Sequence, residues 1–140
     1  MSEENAATPD DEAQTSDEKA AGSGTAPRIL TMADHHGLID AAEPRATRPG
    51  VKRIMVADGA RVIVFRFAAG QILAEHKAAF PILVQSIDGH IAFTADGRTV
   101  DLHPGDIAHL SARLLHEVRA VTDATLLLTM LDPAATAGEE

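Results

Sequence analysis

The chain has no cysteine, no tryptophan and no tyrosine, and its aromatic content is four phenylalanines. Without cysteine there is no disulfide, no thiolate metal ligand and no thiol nucleophile, so a stapled secreted scaffold is excluded. With so few aromatic faces, a platform that stacks bases or sugars is not expected. No apolar run reaches the roughly 18 residues that a membrane helix needs. The first residues are acidic where a signal peptide is basic and then apolar, so a cytoplasmic protein is the expectation. Basic residues are also short in supply, 12 Lys and Arg against 21 Asp and Glu. They form no stripe able to neutralise phosphates, which points away from nucleic acid and anionic membranes as partners.

The residues present are the material of one domain: 140 in all, 45% hydrophobic and 24% charged. The acidity is concentrated at the start, where residues 1–27 hold seven acids and one base, a charge of −6, against −3 for residues 28–140. Residues 1–27 have no periodic apolar positions and predict a disordered acidic leader. Between Ile29 and Ala42, the positions Leu30, Met32, Leu38 and Ile39 suggest a short amphipathic helix, with Thr31 as N-cap and Gly37 as an interruption. This helix and its trailing loop, residues 28–50, are expected to pack on the domain formed by residues 51–132.

From residue 51 to 132 the pattern changes to short Val, Ile, Phe and Leu runs separated by Gly, Asp and Pro, an all-β signature. Strands are predicted at 51–57, 61–68, 72–78, 82–87, 90–95, 98–102, 106–110, 116–121 and 125–131. Asp58-Gly59, Asp88-Gly89 and Asp96-Gly97 are expected to close tight hairpins through positive φ. Nine short strands favour a sandwich or barrel. Residues 133–140 read as a frayed tail.

Strand alternation puts two histidines on an apolar face. In 72–78, Glu75 and Lys77 lie outward while Ile72, Ala74, His76 and Ala78 point in. In 116–121, Glu117 and Arg119 lie outward while His116, Val118 and Ala120 point in. A buried imidazole left unsatisfied costs about 1–3 kcal/mol, so two in one small core imply a polar pocket. By the same parity His109 points inward with Ile107 and Ser111, although a lone histidine in an apolar strand is ordinarily structural. His35, His36, His90 and His103 read as solvated polar residues. Ser111 has no acid placed to orient His116, so a serine nucleophile is not inferred.

The spacing around these histidines resembles the cupin family, in particular its small single-domain, RmlC-like members. The family's first motif, Gly, five residues, His-x-His, three or four residues, Glu, six residues, Gly, is matched by Gly70, His76, Lys77, Ala78, Ile82 and Gly89. Its second, Gly, five residues, Pro-x-Gly, two residues, His, three residues, Asn, falls on Gly105, Ser111 to Arg113, His116 and Ala120, with the first glycine and the histidine in place. The resemblance covers residues 51–131. It implies a cupin-type double-stranded β-helix, a jelly-roll barrel.

In the family, two histidines and a glutamate of the first motif and the histidine of the second bind a divalent metal. Carried over, these positions are His76, Ala78, Ile82 and His116, and two of the four are aliphatic. Two imidazoles fall short of the three or four protein ligands of ordinary sites, leaving Gln85 or His109 as replacement ligands for Fe, Mn, Ni or Zn.

These residues suit three functions. The first is a small-molecule-binding barrel, for sensing or sequestration, with a pocket of Ile72, Ala74, Ala78, Ile82 and Val118 around His76, His116 and Gln85. The second is an enzyme of dioxygenase, isomerase or cyclase type using a reduced His76/His116 centre. The third is a structural module whose leader recruits a partner. Open barrels leave sheet edges that must be covered, so a homodimer is expected.

Overall fold

The computed structural model describes residues 28–139; the predicted disordered leader, residues 1–27, lies outside the described residues. The chain divides into two units, Met1–Leu30 and Thr31–Glu140. Of the first, only residues 28–30 are described, and they belong to no regular element.

The second unit contains one short helix, α1 (His35–Ile39), and nine strands among the described residues. They are β1 (Gly50–Ala57), β2 (Ala60–Phe67), β3 (Ile72–His76), β4 (Ile82–Asp88), β5 (Ile91–Ala95), β6 (Arg98–Leu102), β7 (Ile107–Leu110), β8 (His116–Ala120) and β9 (Ala124–Met130). Every predicted strand is present, with no end displaced by more than two residues. The strands form two antiparallel sheets, ordered β1-β2-β9-β4-β7 and β3-β8-β5-β6. Large apolar side chains from both inner faces close one core, among them Phe67, Ile82, Val84, Ile91, Phe93, Leu110, Val118 and Leu126. Fully burying a side chain of this size contributes about 1.5–3 kcal/mol, and this two-sided burial is what holds the sheets together.

Two of the three Asp-Gly pairs turn hairpins. Asp58-Gly59 joins β1 to β2, and Asp96-Gly97, with φ of 53° and 73°, joins β5 to β6. Asp88-Gly89 does not, contrary to expectation. It carries the chain from one sheet to the other, and Gly89 (φ 80°) passes so close to the Asp123–Ala124 backbone that a Cβ would lie 2.1 Å from the Asp123 carbonyl oxygen.

The helix is shorter than predicted. Its N-cap is Asp34 rather than Thr31, because the Asp34 carboxylate accepts from the Gly37 amide at 2.7 Å, and Gly37 lies inside the helix rather than interrupting it. Its last residue is tied to the five-stranded sheet: Thr125 donates to the Ile39 carbonyl at 3.3 Å, and Arg66 reaches both Thr125 and Asp88.

The C-terminal segment is docked rather than frayed through residue 139. Ala135 is buried, its carbonyl accepts from the Gly59 amide at 3.0 Å, and the Ala137 amide donates to Asp58 at 2.9 Å. Asp132 anchors it by accepting from Arg61 Nε at 3.0 Å and from the Ala134 amide at 2.9 Å. Those hydrogen bonds hold the Asp132 carboxyl below the usual carboxylate range.

Candidate functional site

The four-stranded sheet brings His76, the last residue of β3, opposite His116, the first residue of β8, as Cα partners. Strict alternation along β3 does not produce this. Leu73 pairs with Val118 and His76 with His116, so three residues of β3 span the distance that two residues of β8 cover. This bulge resets the parity, and Leu73 and His76 both turn toward the core while Ile72 and Ala74 are exposed. Ile72 is therefore not a pocket residue: it lies 44% exposed on the outer face. In β8 alternation holds, and His116, Val118 and Ala120 are all buried.

The two imidazoles stand Nε2 to Nε2 at 3.1 Å, with ring centroids 4.2 Å apart. His76 Nδ1 lies 3.0 Å from the Ala74 carbonyl oxygen, and His116 Nδ1 lies 2.9 Å from that of Leu114. A carbonyl oxygen only accepts, so each Nδ1 must carry the hydrogen. In two neutral rings both Nε2 atoms then present lone pairs to each other. The 3.1 Å contact becomes a hydrogen bond only when one further proton, or another cation, enters between them. Burial pushes His116 below the ordinary histidine range; the bond to the Leu114 carbonyl opposes that in part, and the neighbouring His76 adds to it.

The remaining expected site residues do not join the pair. Gln85 sits on β4, where Ile82, Val84 and Ser86 face inward, so alternation places it on the opposite face, between Ile107 and Leu127 on the neighbouring strands. His109 is exposed because β7 runs in the reverse parity to the one expected, with Ala108 and Leu110 inward and Ile107 outward. Ile82 and Val118 are each 1% exposed and belong to the hydrophobic core. Ala78, beyond the end of β3, packs on that core and offers its carbonyl to the Arg113 amide at 2.8 Å.

This donor set does not fit a resident divalent metal. Such ions take three or four protein ligands, and among the described residues no three His, Asp or Glu side chains converge. Gln85 and His109, the replacement ligands suggested by sequence, face away.

Two residues not anticipated from sequence support the pair. The Phe93 ring stacks on His116 with centroids 5.5 Å apart and an angle of 13°, and Leu114 supplies the carbonyl just described. Both also line a cavity of about 260 Å³ completed by Ala95, Asp96, Arg98, Val100, Ala108, His109 and Leu110. Phe93 was findable, because it shares the inward parity of Ile91. Leu114 lies in a loop where no periodicity applies. A larger hollow of about 540 Å³ lies against β1, at Thr31, Arg53 to Val56, Gly138 and Glu139, and holds no histidine.

The fold is that of the cupins. Solved structures resembling it include an RmlC-like cupin from Desulfovibrio desulfuricans, with a TM-score of 0.63 and 24% identity over 72% of this chain and 97% of that one. A cupin superfamily protein from Desulfitobacterium hafniense gives 0.57 and 20% over 78% and 96%. A salicylate 1,2-dioxygenase variant from Pseudoaminobacter salicylatoxidans gives 0.58 and 20% over 65% of this chain but 29% of that one. No protein-family model and no curated protein matches the sequence. Among the described residues no helix is long and apolar enough to cross a membrane.

Proposed function

We propose that the chain is a small-molecule-binding cupin barrel whose polar centre is the His76–His116 pair, working as a proton-sharing dyad rather than as a metal centre. The observation that carries this reading is the approach of two Nε2 lone pairs to 3.1 Å with both Nδ1 hydrogens already engaged. Once the proton is taken up, the pair holds one positive charge in a mostly apolar barrel. Charges in such surroundings are weakly screened, so the pair favours an anionic or strongly accepting ligand group. Binding and proton uptake are then linked, which suits sensing or sequestration.

A metal-dependent enzyme with a reduced His76/His116 centre needs ligands from outside this chain. The deciding experiment is elemental analysis of untagged protein beside a His76→Ala, His116→Ala double variant. No metal in either, even after reconstitution with iron, manganese, nickel or zinc, is the expected result. Near-stoichiometric metal in the parent, lost in the variant, overturns the dyad reading.

A homodimer paired through a sheet edge belongs to the same proposal. Val51, Ile72 and Ile107 are exposed on the edge strands β1, β3 and β7, where unpaired backbone invites a second copy.

A further inference from the structure

We infer that the 260 Å³ cavity beside the histidine pair is a binding site for a small apolar carboxylate, one ring or a short branched chain bearing a single anionic head. The inference rests on the dyad reading and adds the place and chemical class of the ligand. Three observations carry it. The volume lies just below the roughly 300–1,000 Å³ of pockets for drug-sized ligands, which limits the occupant to a smaller molecule. Most of the lining is apolar, with Phe93, Val100, Leu110 and Leu114 as its large side chains. The basic side chain on the lining is that of Arg98, which is exposed and makes no hydrogen bond or ion pair among the described residues; His109 borders the cavity from a strand position that faces the other way. Asp96 stands on the same lining and opposes an anion, but the guanidinium of Arg98 offers a planar fork matched to a carboxylate.

The cavity is also wired to the pair. Phe93 is both cavity wall and stacking partner of His116, while Leu114 contributes to the wall and holds His116 Nδ1–H with its carbonyl. A ligand pressing on these two residues changes the setting of His116 without touching either imidazole.

The test is a titration of the full chain with benzoate, monitored by NMR of backbone amides and of the histidine ring protons, with benzamide as the uncharged probe. Ala108→Phe fills the cavity, and Arg98→Gln removes the fork from an exposed position that does not threaten folding. Millimolar or tighter benzoate binding is expected, with shifts at Phe93, Leu114 and the His116 ring. Arg98→Gln should weaken it about tenfold, the value of one charged hydrogen bond, and Ala108→Phe should abolish it. Absence of benzoate binding overturns the cavity inference, as does binding that both variants leave unchanged. Benzamide binding as tightly as benzoate overturns the anionic class. The unliganded pH titration of the histidine rings, recorded in the same samples, reports separately on the dyad, so the two can fail independently.

Discussion

His76 and His116 meet Nε2 to Nε2 at 3.1 Å with each Nδ1 bound to the carbonyl two residues before it, an arrangement two neutral rings cannot satisfy. Burial makes the His116 ring resist charge.

The first consequence is a pH dependence of stability. Burial lowers the folded-state affinity of His116 for a proton, while in the unfolded chain it titrates at its ordinary value, about 6.5. Above that value neither state is charged and nothing is lost. Below it the unfolded state binds a proton that the folded state refuses, so stability falls with pH until the lowered folded value is passed. Urea midpoints measured at pH 7.5 and 5.5 should drop more for the parent than for His116→Gln, which has no ring to titrate. Equal drops would contradict the assignment.

The second concerns the crossing between sheets. Gly89→Ala forces a Cβ against the Asp123 carbonyl and Ala124, backbone that cannot rotate away, and adds the strain of positive φ. Gly97→Ala meets nothing within 4 Å and bears only the strain, about 1–2 kcal/mol. Chemical denaturation should therefore rank Gly89→Ala well below Gly97→Ala. Similar values for the two would show that the chain relaxes at Asp123 more readily than its packing suggests.

The third concerns the docked C-terminus. Asp132→Asn leaves the shape intact but removes the charge that Arg61 Nε binds. Amide exchange at Gly59, Ala137 and Gly138 should accelerate in the variant. In the parent the same release should occur on acidification, since a carboxyl held low supports the fold above its ordinary value and loses that support as pH falls through the folded one. Unchanged exchange at those amides would mean that the backbone bonds alone hold the segment.

Much of this architecture is legible in the sequence, for identifiable reasons. The nine strands arise from alternating apolar residues between turn residues, and His116 points inward because β8 is regular. Alternation also places His76 inward, but for a wrong reason. It assigns His76 the parity of Ile72, whereas a bulge between Leu73 and His76 separates the two, exposing Ile72. A bulge inserts a residue without a compositional mark, so period-two reasoning passes over it. Gln85 and His109 escape the same reasoning: on a strand with apolar residues on both faces, parity is ambiguous until the register is known. The docked C-terminus rests on Asp132 and Arg61, 71 residues apart, a pairing no local pattern reports.

The proposed sharing of a proton between His76 and His116 is open to observation in long-range ¹H–¹⁵N spectra of metal-free protein, taken from pH 5 to 9 beside His76→Asn. Protonated Nδ1 is expected in both rings, with one proton taken up between the two Nε2 atoms on acidification and that signature lost in the variant. A neutral ring found with its hydrogen on Nε2, or two rings titrating independently, would contradict the shared proton.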